Sequence, residues 1–548
     1  MNCKPFAICT HGFVAITVWS AFLTYTEAGS PREEKWKAEI PKEAAQMGSS
    51  IAISEDMIAV GAFFDGENEE GAVHIFDRET GQSLDVLQSP NAEEGGLFGY
   101  SLAWENDLLL VGAPFEDGDG TDDGVVYLFD FNREEVTTIS SPSGEDGQAF
   151  GVSLAIDNGL ALIGSPYEKG EGTKRGAVYV YDLENRQFVQ RLAASDPADD
   201  DQLGLSVSLS GGIAAVGAWR KSHPDGADNT GAVYLFKALT GVETLKIDNP
   251  NPQNIEGPFG NFGCSVLIHD NQVIVGAREE RHSVQGPDDF KEGVAYMFDV
   301  TTGEQLRRFV SPRSTGNSFF GNKLARERDF LLIAASQDSS AGGNAGAAYL
   351  FDVNTGREIQ QILASDASQN DEFGFSVALS GMEAFIGARF EGEDPERASG
   401  ALYRYTFGYQ PDLLIGKTKR NVKGGDRYNN SGAGQRIKIR SRGRIRYSFQ
   451  AQNDGSLPDR LHLKSRRKSK KFRYRIKKAG AGNVAGALAR GNYRSSLLFP
   501  GEMENFRVVA KPRGRNRKVR RETNLIRSRS LQNVTRTDAA KAKLHRRR

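Results

Sequence analysis

Residues 150–182 read FGVSLAIDNGLALIGSPYEKGEGTKRGAVYVYD, and nearly the same phrase stands at 98–130 as FGYSLAWENDLLLVGAPFEDGDGTDDGVVYLFD. A looser copy, LGLSVSLSGGIAAVGAWRKSHPDGADNTGAVYLFK, fills 203–237. The glycine that opens each phrase recurs at Gly48, Gly99, Gly151, Gly204, Gly263, Gly321 and Gly374, at intervals of 51–59 residues. A steady period of that length marks an array of one supersecondary unit. Within 150–182, SLAI and LALIG flank the turn DNG and read as a hairpin. The glycine-rich SPYEKGEGTKR then leads to GAVYVYD, rich in β-branched and aromatic residues, and FVQRLAAS supplies a fourth strand. Four strands in about 52 residues leave no room for a helix and have the size of one propeller blade.

The seventh unit ends at GALYRYTF without a fourth strand, and the unassigned stretch KWKAEI (35–40) precedes the first. Pairing the two would complete the last blade with the start of the chain and leave no open edge. The expected fold is all-β: a seven-bladed β-propeller over 35–408, closed by an N-terminal strand. The Phe that precedes the glycine in most copies is expected to wedge between blades.

These phrases, FG…S…GAP…G-A-V-Y-x-F, resemble the FG-GAP repeat that builds the propeller of integrin α subunits and of many bacterial secreted proteins. GAPFEDGDGTDDGVVYLFD (112–130) is the nearest match, and GAW (217–219), GAR (276–278, 387–389) and AAS (334–336) depart from it. The resemblance implies a fold rather than a job, since propellers host binding, adhesion and enzymes alike.

After Pro411 the rhythm stops and the charge inverts. Residues 411–548 hold 40 Lys+Arg against 8 Asp+Glu, which leaves 29 basic and 63 acidic residues in 1–410. In 436–450, Ile437, Ile439, Ile445, Tyr447 and Phe449 alternate with Arg436, Lys438, Arg440, Arg444 and Arg446. In 470–478, Phe472, Tyr474 and Ile476 alternate with Lys471, Arg473, Arg475 and Lys477. A period of two places the apolar set on one sheet face and the bases on the other, so a sheet with one wet basic surface is expected. The region 412–546 resembles the immunoglobulin-like β-sandwich modules appended to secreted bacterial repeat proteins, without the cysteine pair of antibody domains.

The first 28 residues read as a secretory signal, with Lys4, the apolar FVAITVWSAFL, and small residues at Thr26 and Ala28. Its removal would leave Cys264 as the one cysteine and no transmembrane segment, hence a secreted or cell-surface protein held by packing alone.

The loop EDGDGTDDG (116–124) gathers Asp117, Asp119, Asp122 and Asp123 among glycines, an oxygen-rich setting suited to calcium. Integrin-type repeats bind calcium in the corresponding loop, which makes this blade-two loop the candidate metal site. No other cofactor is expected. The seven histidines lack metal-ligand spacing, no G-x-S-x-G elbow occurs, and no catalytic residue stands out. A binding or adhesion protein is therefore the leading reading. The propeller loops would meet a protein or glycan, and the basic domain would hold anionic polysaccharide or cell-envelope polymer. Sequence-specific nucleic-acid reading is not expected, because aromatic residues are scarce on the wet face. Two alternatives are a structural protein whose basic domain docks on its acidic propeller, and a propeller-based lyase or hydrolase.

Overall fold

A computed structural model describes residues 31–40, 42–169, 174–224, 228–252, 260–281, 291–313, 316–392, 398–409, 411–418, 421–423, 436–441, 444–465, 472–479, 483–512, 520–533 and 535–546. The leader read at 1–28 and Lys471 lie outside the described residues. The chain divides into two compact units between Tyr405 and Thr406.

The first unit consists of seven four-stranded sheets. In the third, Leu154–Asp157, Leu160–Ser165, Ala177–Asp182 and Gln187–Leu192 pair antiparallel in sequence order. The second strand of every sheet, such as Leu160–Ser165, is buried along nearly its whole length, whereas Gln187–Leu192 is largely open. Buried apolar groups from neighbouring sheets share cores, so each blade covers a face that its neighbour cannot leave wet. Phe98 sits in such a core with Val73 and Ile75 of the first blade and Tyr127 and Phe129 of the second. That is the expected wedge.

The first strands carry a repeated clamp. Ser50 Oγ donates to Gly99 O at 2.7 Å, Ser101 to Gly151 O at 2.6 Å, and Ser153 to Gly204 O at 2.7 Å. Ser206 to Gly263 O at 2.7 Å and Ser265 to Gly321 O at 2.6 Å continue the series. Ser376 then donates to Gly48 O at 2.6 Å, linking the last sheet to the first. The GAP glycine makes this approach possible: a Cβ on Gly164 would stand 2.1 Å from Gly204 O. The sixth blade departs from the pattern, with Lys323 and Ala334 at the Ser and Gly positions. There Asn322 Nδ2 reaches Gly374 O at 3.4 Å instead.

The fourth strand of the last sheet is Arg32–Trp36, hydrogen-bonded beside Ala401–Thr406. It starts earlier than KWKAEI, because three polar residues of the strand have inward duties. Glu33 accepts from Tyr405 OH at 2.9 Å, Glu34 pairs with Arg404 at 3.2 Å, and Lys35 pairs with Asp366 at 2.7 Å. Trp36 is buried, 5.8 Å from the rings of both Phe76 and Phe385.

The second unit has two five-stranded sheets that share one core, including Ile445, Tyr447 and Phe449 from one sheet and Leu461, Ile526 and Leu544 from the other. A short helix, Ala485–Arg490, ends at Gly491, whose φ of 74° lies in the left-handed region.

Gly164→Ala is expected to cost about 3 kcal/mol, because backbone must move to admit the methyl group. Ser153→Ala, which removes one hydroxyl, should cost about 1 kcal/mol. Urea melts of the two variants check the order, and an equal cost would contradict close approach as the main constraint.

Candidate binding surfaces

The four aspartates of 116–124 do not converge on one point. Asp123 is fully buried, with Oδ1 accepting from Gly118 N at 2.6 Å and Oδ2 from Asp119 N at 3.2 Å. Asp117 Oδ1 accepts from Asp122 N at 2.7 Å, and Thr121 N is held by Asp146 from the following loop at 2.9 Å. The carboxylates tie the loop to its own amides. Among the described residues no group of three or more His, Cys, Asp or Glu side chains is placed to hold a metal ion. Asp123 is committed to two backbone donors in this arrangement, and the four carboxylates are not drawn together as one ligand set.

One device escaped the sequence reading. In the second blade, the acid four residues after the GAP glycine accepts the hydroxyl of the Tyr in G-x-V-Y: Tyr127 OH donates to Glu116 Oε2 at 2.5 Å. Tyr179 donates to Glu168 at 2.6 Å and Tyr349 to Asp338 at 2.7 Å in the same way. Tyr296 donates to Glu280. In the first blade His74 takes the Tyr position and meets Asp65 at 3.2 Å. In the fourth, Lys221 replaces the acid and pairs with Asp201 at 2.9 Å, while Tyr234 turns to Asp196 at 2.6 Å. Burial raises the Glu280 carboxyl to about 7, an effect that Tyr296 and Arg308 offset only in part. These pairs are buried struts, and their repetition from blade to blade marks them as architecture. The Cys264 thiol is likewise raised by burial, which disfavours the reactive thiolate.

The basic residues of the second unit split between its two sheets. Arg446, Arg473, Arg475 and Lys477 are exposed on one sheet, joined by Arg507 and Lys511 of the strand between them. Arg444, just before the strand Ile445–Asn453, is exposed as well. In register, Arg473 stands opposite Lys511 and Lys477 opposite Arg507. Arg436–Ser441, carrying Arg436, Lys438 and Arg440, belongs to the other sheet and runs parallel to Thr537–Arg546. There Arg436, Lys438 and Lys543 are exposed. The expectation of one wet basic surface is therefore corrected. Each sheet turns its apolar parity into the shared core, so each outer face is basic.

Among the described side chains of this unit, most acids are turned inward. Glu504 is buried, accepting from Tyr493 OH at 2.6 Å, Lys478 Nζ at 2.6 Å and Ser496 N at 2.8 Å. Asp538 is fully buried and accepts from Leu413 N at 2.8 Å. Asp454 and Asp459 are buried too, and Glu502 and Glu522 are half-buried. No acid with a described side chain in this unit is exposed.

The FG-GAP repeat profile matches residues 42–76, 86–129, 134–181, 187–236 and 357–405. Mouse integrin alpha-11 is 27% identical over 198 residues, covering 31% of this chain and 16% of that protein. Human integrin alpha-11 is 26% identical over 255 residues, covering 41% of this chain and 20% of the relative. The chain thus spans about a fifth or less of the length of these relatives. The repeats, the four-stranded sheets and this similarity support an integrin-alpha-like propeller. Among the described residues, no helix is long and apolar enough to cross a membrane.

Glu280 makes stability depend on pH. Its folded carboxyl binds a proton up to about pH 7, while the unfolded one releases it near its ordinary value of 4.5. The folded state therefore holds the extra proton between those limits, and stability falls as pH rises through that window. Glu280→Gln should remove up to about 3 kcal/mol of this loss, read as a smaller difference between urea melts at pH 5 and pH 8. An unchanged difference would show that Glu280 ionises normally.

Proposed function

We propose that this chain is an extracellular binding protein in which a closed seven-bladed propeller presents loops to a protein or glycan partner. The appended β-sandwich, immunoglobulin-like in its two-sheet plan, holds an anionic polymer such as acidic polysaccharide or cell-envelope polymer. The observation that carries the second part is the separation of charge among the described side chains of this unit: many bases are exposed and no acid is. Like charges placed opposite one another across strands destabilise a sheet. The Arg473–Lys511 and Lys477–Arg507 oppositions thus favour a bound anion that spans them. Such binding needs no base edges and no reaction, which sets it apart from nucleic-acid reading and from a lyase or hydrolase. Closure of the propeller is supported by the Ser376–Gly48 clamp and by the ion pair of Lys35 with Asp366.

Binding of the full chain to oligogalacturonate and to random-sequence DNA across a salt series tests the anion reading. Affinity should fall steeply with salt and show little preference between the two polymers, as phosphate and carboxylate neutralisation require. Arg473→Glu combined with Arg475→Glu should reduce affinity at least tenfold at 50 mM salt. Affinity that rises with salt would instead favour neutralisation of the basic domain by the chain's own acidic propeller. For closure, zero-length carbodiimide coupling should join Lys35 to Asp366 or Glu391, read by peptide mass spectrometry. Coupling of Lys35 solely to near neighbours in sequence would contradict a closed ring.

A further inference from the structure

The first strands of successive blades touch one another in order, and that of the last touches that of the first. The residues just after each FG glycine, and the loops after each second strand, therefore gather around the centre of the ring. This step rests on the closed-ring reading above. On the side of blades five to seven the gathering is cationic. The Arg278 guanidinium lies 5.6 Å from the ring centroids of both Trp219 and Phe319. The Arg389 guanidinium lies 3.8 Å from Phe375 and 4.4 Å from Phe390. Lys323, at the position where other blades carry the clamp serine, has no ion-pair partner among the described residues. Charged groups from separate blades share this space: the Cys264 thiol and Arg278 act on Lys323, and the Tyr100 phenol feels both Arg278 and Arg389.

Packing an aromatic ring against a guanidinium face leaves its N–H edge available, and that edge makes two parallel hydrogen bonds to a carboxylate. Arg389 has one such bond, its Nε to Glu372 Oε2 at 2.8 Å, which leaves its terminal nitrogens. Arg278 has less. Its Nε is buried without a hydrogen-bond partner, Glu279 stands 4.0 Å away, and Lys291 already holds the other oxygen of Glu279. Lys323 is exposed to solvent, with protein atoms of the surrounding blades on several sides. Desolvation by that surrounding protein, with Arg278 adding to it and Cys264 opposing it, lowers its ammonium from the ordinary lysine value. Among the described residues Lys323 has no counter-ion, Arg278 has only the distant Glu279, and Arg389 alone among the three is closely paired.

We propose that Arg278 and Lys323 form a binding site for a single carboxylate, presented by a polypeptide segment, with Arg389 adding charge and Trp219, Phe319 and Phe375 forming the wall. A polyanion is disfavoured by the excess of 63 acidic over 29 basic residues in 1–410, whose field it would meet on approach. A segment with one acidic side chain among neutral residues escapes most of that repulsion. Aromatic walls suit apolar residues beside the acid.

The test uses the full chain and two probes, acetyl-Gly-Phe-Glu-Phe-Gly-amide and its Gln counterpart, titrated by tryptophan fluorescence and calorimetry. The Glu peptide should bind at least tenfold more tightly than the Gln peptide, and Lys323→Met or Arg278→Met should each abolish that preference. Lys323→Ser, which places there the small residue of the other blades, should abolish it too. Oligogalacturonate binding should be unchanged in all three variants. Equal binding of the two peptides overturns the site, as does a preference that survives these substitutions. Loss of oligogalacturonate binding in Lys323→Ser would assign the centre to polyanions and overturn the polypeptide occupant. The Lys35–Asp366 coupling reports ring closure separately, so failure of the peptide preference in a chain that couples normally condemns the site alone.

Discussion

A serine hydroxyl held against the backbone carbonyl of a glycine in the next blade is the contact on which the first unit depends. It works because the partner strand carries a glycine where any Cβ would strike that carbonyl, at 2.0–2.2 Å for the six GAP-type glycines. The FG and GAP halves of the phrase are thus two sides of one seam. The FG glycine supplies the carbonyl in a left-handed backbone, with φ of 90° at both Gly99 and Gly151, and the GAP glycine leaves the space. Lys323 and Ala334 interrupt the seam between blades six and seven, and the chain has put a cation where a structural hydroxyl stands elsewhere. A departure of this kind from a repeat's own rule is a sign of use other than packing.

Much of this was legible in the residues. The period of the FG phrase predicts the blades, and the alternation of Phe472, Tyr474 and Ile476 with arginines and lysines predicts which side chains face out. What stayed hidden depends on contacts between distant residues. Tyr127 and Glu116 meet only when two strands pair, so nothing local announces the strut. Glu33 looks too polar for a strand until Tyr405 supplies its partner 372 residues away. The two basic segments 436–441 and 445–453 read as a continuous pattern, yet they lie in opposite sheets, because parity tells which face a residue takes but not which sheet the strand joins. In the acidic loop 116–124, composition is silent on direction, and the carboxylate of Asp123 turns to the loop's own amides.

The two units solve the placement of charge in opposite ways. In the propeller, several acids are consumed as buried struts with tyrosine, while the large remainder leaves its sequence strongly acidic. In the second unit, no acid with a described side chain is exposed, and Glu504 and Asp538 satisfy buried donors. Acids turned inward and bases turned outward suit the polymer binding proposed above, in which affinity comes from neutralisation along an extended face.

The central claim is that anions are held on the outer basic faces of the second unit. Amide hydrogen exchange of the full chain, with and without oligogalacturonate at low salt, tests it most directly. The account predicts slowing in Phe472–Lys478, Met503–Pro512 and Arg436–Ser441, with the propeller unchanged. Slowing confined to the propeller loops, or none anywhere despite measured binding, would contradict it.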